Sequence, residues 1–242
     1  MQEVTAAIDA LGLTRRFVDH TALDALTLQV PRNETFGLLG ANGAGKTTFI
    51  RLVTGFLLPT DGEVTVDGIS PSANPAGVRA RVGFVMETSR LYPELRVDAF
   101  LRFAAGAHGL SGKPRGDAIE RVVEQFSIGD VLRRHIGNLS KGYQQRVSLA
   151  QAFLHDPSVV IVDEPTSGLD PLQREDVHAI LGALRGERTV LISTHDLAEA
   201  RSLTSRVAVL HAGRLVTQGP TEQVLDSNRA LSLFEAPEAG LT

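Results

Sequence analysis

The chain has 242 residues, 43% of them hydrophobic, which is enough for one large domain with a buried core. It contains no cysteine, which excludes disulfides, thiolate metal sites and a cysteine nucleophile. The net charge of -4 comes without a dense Lys/Arg block, so the footprint of a nucleic-acid-binding protein is missing and no nucleic-acid partner is expected.

Membrane insertion and secretion are also not expected from the sequence. No run reaches the roughly 18 apolar residues of a membrane-spanning helix. The first residues include Glu3 and Asp9 where a signal peptide would have a basic start and an apolar stretch. We therefore expect a cytoplasmic protein, in which any membrane role must come through a partner.

The first part of the chain is predicted to form strands that lead into a glycine-rich turn. Apolar residues are frequent near 8–17, alternate with polar ones in 25–30 and continue through 36–40. Residues 48–53 then have a helical pattern, and a Pro-Thr-Asp-Gly turn precedes a short strand at 63–66. The pattern indicates a unit of strand, glycine loop and helix.

The middle and the end of the chain differ in pattern. Amphipathic helices are predicted at 97–108, 117–126 and 143–154, where the β-branched strand signal fades. Apolar strands return at 159–162, 190–192 and 207–210, with a helical stretch at 171–185. Continuous apolar strands alternating with helices indicate a mostly parallel sheet covered on both faces, so the fold class is α/β with an inserted helical subdomain.

The glycine-rich turn, Gly40 to Thr47, matches the phosphate-loop pattern G-x-x-x-x-G-K-[ST] in full. Glycines let backbone N–H groups converge on a phosphate at a helix N-terminus, where the helix dipole also favours an anion. Lys46 supplies a positive charge and Thr47 a Mg²⁺ ligand. The predicted nucleotide-binding residues of this loop are Asn42, Gly43, Ala44, Gly45, Lys46, Thr47 and Thr48.

Two adjacent carboxylates, Asp163 and Glu164, end the apolar strand at 159–162. Side chains alternate along a strand, so the two point in different directions and can do different work. In phosphate-loop enzymes an Asp at this place holds Mg²⁺ and a following Glu polarises the attacking water. A strand that ends in Asp-Glu is most often structural when it stands alone, but the complete phosphate loop favours catalysis.

The segment Leu139-Ser140-Lys141-Gly142-Tyr143-Gln144-Gln145-Arg146 resembles the signature sequence of the ATP-binding cassette family, usually Leu-Ser-Gly-Gly-Gln. It precedes the Asp-Glu strand and starts a predicted helix, as in that family. Ser140 and the Gly142 backbone at a helix N-terminus would form a second anion site. Taken alone, Ser-x-Gly before a helix is an ordinary helix cap.

Further landmarks of the same family follow in order along the chain. Phe17 resembles the aromatic residue that stacks on adenine, and Glu87 stands where the family usually has a glutamine that reaches Mg²⁺. Ser167 to Asp170 resemble the loop that crosses the dimer interface, and His195 resembles the switch histidine that holds the γ-phosphate. The resemblance spans roughly residues 7–219.

The sequence departs from the family pattern at three positions. Lys141 and Tyr143 replace a Gly and the Gln of the common signature, and Glu87 replaces the usual Gln. With these replacements the sequence resembles a bacterial exporter class in which the ATPase and membrane subunits are separate chains. This places the role of Glu87 in doubt, because it could point away from the metal.

The resemblance implies a phosphate-loop NTPase core with an N-terminal antiparallel β subdomain and an inserted helical subdomain. The expected division is 1–87 and 156–220 for the nucleotide-binding core, 88–155 for the helical subdomain and 221–242 for a tail. It further implies ATP and Mg²⁺ as ligands, with Thr47, Glu87 and Asp163 at the metal. Glu164, His195 and Lys46 would be catalytic, and Phe17, Ser140, Gly142 and Asp170 would contact nucleotide within a dimer.

The implied function is the ATP-hydrolysing subunit of a transporter, at the cytoplasmic face of the membrane. Its partners would be a separate membrane-spanning permease and a second copy of the chain, arranged head to tail so that the signature of one copy closes over the other's nucleotide. Two alternatives remain open: a soluble cassette protein acting on ribosomes or DNA, and a metabolic NTPase or kinase. An adjacent gene for a protein with several hydrophobic spans would favour transport.

Overall fold

A computed structural model describes residues 6–87 and 91–227 of the chain. The strands are β1 (Ala6–Arg16), β2 (Thr21–Pro31), β3 (Thr35–Leu39), β4 (Asp61–Val66), β5 (Val82–Val85), β6 (Val159–Asp163), β7 (Thr189–Thr194), β8 (Arg206–His211) and β9 (Arg214–Pro220). The helices are α1 (Lys46–Val53), α2 (Pro75–Arg79), α3 (Val97–Ala107), α4 (Gly112–Gln125), α5 (Lys141–Phe153), α6 (Pro171–Gly182), α7 (Leu197–Leu203) and α8 (Thr221–Leu225).

The strands form two sheets. The first is antiparallel and three-stranded, in the order β2-β1-β4. The second has six strands in the order β5-β6-β7-β3-β8-β9, all parallel except for the antiparallel pair β8 and β9 at one edge. This arrangement confirms the predicted α/β class with an N-terminal antiparallel part and a mostly parallel sheet.

The large sheet is buried on both faces, which explains its continuous apolar strands. Along β6, Val159 and Ile161 pack against the small sheet and α1, whereas Val160 and Val162 pack against the helices on the other face. Side chains of a strand point alternately to the two faces, so one apolar strand contributes to both cores. Because β6, β7 and β3 are neighbouring parallel strands, their carboxyl ends lie at the same edge of the sheet.

Three of the longer helices, α3, α4 and α5, lie between β5 and β6 in the sequence, as the amphipathic patterns predict. Their apolar sides share one core, where for example Phe126 and Phe153 pack with ring centroids 5.1 Å apart. The boundaries of a helical subdomain at 88–155 stay a prediction. Residues 88–90 lie outside the described residues, as does most of the predicted tail, whose described part forms α8.

Several short elements were not predicted. The strand β5 has only four residues and β9 lies at the sheet edge with mixed polarity, so neither has a clear hydrophobic period. The helix α7 follows a strand directly, and its Asp196 cap accepts hydrogen bonds from Ala198 and Glu199. None of the helices in the described ranges is long and apolar enough to cross a bilayer.

Candidate functional site

The phosphate loop joins the end of β3 to the start of α1. Gly43 and Gly45 have φ angles of 80° and 109°, a left-handed backbone that suits glycine. A Cβ on Gly45 would also lie 2.8 Å from the Ala22 carbonyl oxygen, so a larger residue does not fit. Gly45 occupies the N-cap position of α1 without a side-chain cap, which leaves the first N–H groups of this helix for an anion.

Lys46, the first residue of α1, is buried and points back along the loop. Its Nζ donates to the Gly40 carbonyl oxygen at 2.6 Å and lies 3.4 Å from Glu164 Oε1. A buried ammonium needs such partners because its desolvation is costly. The carbonyl and the carboxylate hold the positive charge where a phosphate bound by the loop would meet it.

Asp163 ends β6 and is also buried. Its Oδ1 accepts a hydrogen bond from the Ser193 hydroxyl of the neighbouring strand β7. Burial raises the pKa of Asp163 above its usual value, and the nearby Glu87 carboxylate raises it further, while the bond from Ser193 and the charge of Lys46 oppose the rise. A cation at this position would relieve the cost of keeping the carboxylate ionised.

Glu164 links the sheet edge to the segment after β7. Its Oε2 lies 2.9 Å from Nδ1 of His195, and its backbone N–H donates to the Ser193 carbonyl oxygen at 3.0 Å. Glu164 has a backbone φ angle of 47°, which is unusual for a residue other than glycine. Asp163 and Glu164 thus have separate partners. Asp163 bonds to Ser193 on β7, and Glu164 contacts Lys46 and His195.

Lys46 and Glu164 line one open cleft of about 290 Å³, whereas Asp163 and His195 are not among its lining residues. The cleft is lined by His20, Thr21, Ala22, Ala41, Asn42, Gly43, Ala44, Gly45, Lys46, Thr47, Thr48, Glu87, Glu164 and Ala212. All the phosphate-loop residues predicted to bind nucleotide are among them. The oxygen donors here, the Thr47 hydroxyl and the carboxylates of Glu87 and the neighbouring Asp163, are of the type that Mg²⁺ prefers, so the site fits this ion.

Phe17 is placed less directly than the loop residues, since it is partly exposed and is not one of the residues that line this cleft. Its ring stacks on that of His20, with centroids 5.2 Å apart, and the Arg15 guanidinium lies 4.7 Å from its centroid. His20 does line the cleft. Contact between Phe17 and adenine therefore stays a prediction.

The signature segment starts α5. Ser140 is the exposed N-cap of this helix, and its hydroxyl accepts from the Tyr143 N–H at 3.4 Å. Gly142 is buried against α6, where a Cβ would come within 2.9 Å of the Gln173 side chain. The Tyr143 hydroxyl donates to Asp130 at 2.7 Å, a bond that raises the pKa of the tyrosine. Tyr143 is thereby held within its own chain.

Asp170 and Ser167 lie on the turn between Glu164 and α6. The Asp170 carboxylate caps α6 by accepting from the Gln173 N–H at 3.0 Å, while Ser167 is exposed. The described structure thus gives Asp170 a local partner. A contact between this loop and a second copy of the chain stays a prediction.

Glu87 lies between two clefts. Besides the phosphate-loop cleft it lines a second one of about 280 Å³, together with Lys141, Gln144, Gln145, Ser167, Gly168 and Leu169. The departures from the common pattern at Glu87 and Lys141 therefore lie at the same cleft and have opposite charges. The exposed Glu87 carboxylate can face the nucleotide on one side and the start of the signature helix on the other.

We predict that Glu87→Gln weakens the dependence of ATP binding on Mg²⁺. The carboxylate adds negative charge beside Asp163, so it should repel ATP in the absence of the metal and favour it in its presence. The ATP affinity of both proteins across a Mg²⁺ titration measures the effect, with the exposed Glu94→Gln as a matched control. Coincident curves for wild type and Glu87→Gln would remove Glu87 from the metal site.

Several residues of the site carry no signal in the sequence. Ser193 bonds to Asp163, Thr166 follows Glu164, and Glu199 lies in the first turn of α7. Thr166 and Glu199 form a buried hydrogen bond of 2.7 Å. Serine, threonine and glutamate in such places are usually structural, and only the packing of three elements around the carboxyl end of β6 reveals them.

The fold and this cleft define a phosphate-loop nucleotide-binding domain. A family model described as ABC transporter matches residues 23–167, which is more than half of the chain. The chain belongs to the ABC transporter family, as the motifs predict. The Nod factor export ATP-binding protein I of Cupriavidus metallidurans is 31% identical over 233 residues, 96% of this chain and 77% of that protein.

Two further comparisons agree with this assignment. The probable multidrug ABC transporter ATP-binding protein YbhF of Escherichia coli is 34% identical over 218 residues, but these cover 90% of this chain and only 38% of YbhF. The solved structure of cbiO1 from Clostridium perfringens, part of the ABC transporter complex cbiONQ, superposes with a TM-score of 0.84 at 25% identity. That match covers 94% of this chain and 93% of cbiO1.

Proposed function

We propose that this chain is the ATP-binding and ATP-hydrolysing subunit of an ABC exporter whose membrane-spanning part is a separate chain. The observation that supports it most is that Glu164, which lines the phosphate-loop cleft, lies next to both Lys46 and His195. A cation for the phosphates, a carboxylate for the water and a histidine beside that carboxylate are the groups that phosphoryl transfer to water requires.

The contacts support a role for each of these residues. The loop N–H groups and Lys46 bind the phosphates, and Glu164 accepts a proton from the attacking water. His195 would orient Glu164 through their hydrogen bond. Its role in holding the γ-phosphate is implied by the family resemblance. Thr47, Asp163 and Glu87 would hold Mg²⁺, which when bound neutralises charge on the phosphates.

The signature segment supports a dimer with shared sites. Ser140 is exposed, and the chain's own phosphate-loop cleft contains no residue of 139–146. An anion site at the start of α5 would therefore serve the nucleotide held by a second copy. Binding of ATP would join the two copies, because the γ-phosphate bound by one copy would contact the signature segment of the other. Hydrolysis would remove this contact and release the copies.

Export and a permease partner rest on the relatives. The names of two relatives refer to Nod factor export and to multidrug transport, and cbiO1 is part of a complex. The exposed rings of Tyr92 and Phe103, in edge-to-face contact at 5.6 Å, lie near the start of the helical part and offer an apolar surface for such a partner.

The experiment is co-expression with a candidate membrane-spanning permease chosen from the neighbouring genes. We expect the two chains to copurify and the ATPase rate to rise when a transported substrate is added. The Lys46→Ala variant should copurify equally well but show no ATPase activity. A wild-type chain that hydrolyses no ATP, or that binds no membrane subunit, would contradict the proposal.

A further inference from the structure

Glu199 is a buried carboxylate that the proposed mechanism does not use. It lies in the first turn of α7, shortly after His195, and only 3% of it is exposed. Burial of an ionised carboxylate is costly unless hydrogen bonds replace the lost water. The burial of Glu199 must therefore be explained by its hydrogen-bond partners.

The partners of Glu199 come from two other parts of the chain. Its Oε1 accepts a hydrogen bond from the Thr166 hydroxyl at 2.7 Å and lies 3.1 Å from Nε2 of His178 on α6. Its backbone N–H donates to the Asp196 carboxylate, which caps α7. One oxygen thus joins the turn after Glu164, the helix α6 and the start of α7.

The turn that Glu199 contacts carries the catalytic carboxylate. The Ser167 N–H donates to the Glu164 carbonyl oxygen at 3.2 Å, and the Leu169 N–H donates to that of Thr166 at 3.1 Å. Glu164 itself has the unusual φ of 47°. A strained backbone persists only where its surroundings hold it in place, and the bond between Thr166 and Glu199 is a buried contact of this turn.

A small cleft of about 180 Å³ shows how these parts adjoin. Glu164, Thr166, His195 and Glu199 are among the residues that line it. Glu164 is hydrogen-bonded to His195, and Thr166 is hydrogen-bonded to Glu199. The turn after β6 and the segment after β7 are therefore connected twice, once by the catalytic pair and once by the buried pair.

We propose that Glu199 is a positioning residue, which fixes the turn from Glu164 to Asp170 against α7 through Thr166. Fixing this turn keeps Glu164 aligned with His195 and with the attacking water. The inference rests on the proposed ATPase function. It predicts a defect in the chemical step, whereas phosphate binding by the loop and Lys46 should be unaffected, because neither Thr166 nor Glu199 lines the phosphate-loop cleft.

The test compares variants that change one hydrogen bond at a time. Thr166→Val keeps the shape but removes the hydroxyl donor, and we expect kcat to fall about tenfold with the KM for ATP within about twofold of wild type. Thr166→Ser should restore kcat. Glu199→Gln keeps an acceptor oxygen and should retain most activity, whereas Glu199→Ala should lose as much as Thr166→Val or more.

A control on the same helix separates positioning from general stability. Arg201 on α7 pairs with Glu222 and Asp226 at the surface, so Arg201→Ala removes contacts of α7 without changing those of the turn. We expect this variant to keep the wild-type kcat. Melting temperatures measured alongside show whether Thr166→Val stays folded.

Two results would overturn the inference. One is a wild-type kcat for Thr166→Val. The other is an equal loss of ATP affinity and turnover in Thr166→Val and Thr166→Ser, which would indicate a structural role alone. Either result leaves the proposed function intact as long as the wild type hydrolyses ATP and Lys46→Ala does not.

Discussion

Glu164→Gln is expected to lower the ATPase rate by about a hundredfold or more while ATP binding is retained. Glutamine has nearly the same shape as glutamate but cannot act as a base. A positioned general base contributes about 10²–10⁴-fold to such reactions. Because the γ-phosphate is then not removed, an ATP-bound dimer should accumulate. Size-exclusion chromatography with ATP and Mg²⁺, together with phosphate release, measures both effects.

The control for Glu164→Gln is Glu175→Gln, which changes an exposed glutamate on α6. It should have the wild-type rate and accumulate no more ATP-bound dimer than the wild type. If Glu164→Gln stayed monomeric with ATP and turned over near the wild-type rate, Glu164 would not be the base. The contacts of Glu164 with Lys46 and His195 would then serve only to hold the sheet edge.

Ser140→Arg is expected to lower the ATPase rate by about a hundredfold without weakening the binding of nucleotide to the monomer. Ser140 lies at the exposed start of α5, outside the chain's own phosphate-loop cleft, so a large side chain there should block only a second copy. A titration with a fluorescent ATP analogue measures binding at protein concentrations where the chain is monomeric.

Ser111→Arg provides the matched control, because Ser111 is the exposed N-cap of another helix, α4. This variant should hydrolyse ATP at the wild-type rate. A large loss of monomer affinity in Ser140→Arg would mean that Ser140 belongs to the site of its own chain. The shared-site arrangement would then be wrong.

The sequence predicts the loop and the strands around it because their signals are local. The phosphate loop joins β3 to α1 as expected, and the apolar run at 159–162 ends in Asp163 within β6. The strand order β5-β6-β7-β3-β8-β9 could not be predicted, since it depends on which strands pair across long separations. The short strand β5 and the helix α7 also have too few residues for a clear period.

The composition of the site was only partly predictable, for the same reason. Motifs indicate Lys46, Asp163, Glu164 and His195, but not that Lys46 Nζ lies 3.4 Å from the Glu164 carboxylate. Buried contacts beside the site, such as the one between Thr166 and Glu199, join residues that are distant in the sequence. Conversely, the resemblance indicates an aromatic residue at Phe17, but it did not predict that this ring stacks on His20.

The turnover rate per chain as a function of dimer content tests the central claim most directly. Light scattering in Mg²⁺ and ATP would first define the protein concentrations over which the wild-type chain passes from monomer to dimer. If the Lys46 side of one copy and the Ser140 side of another form each site, the ATPase rate per chain will rise in proportion to the dimer fraction. A monomer that turns over ATP as fast as the dimer would contradict the account.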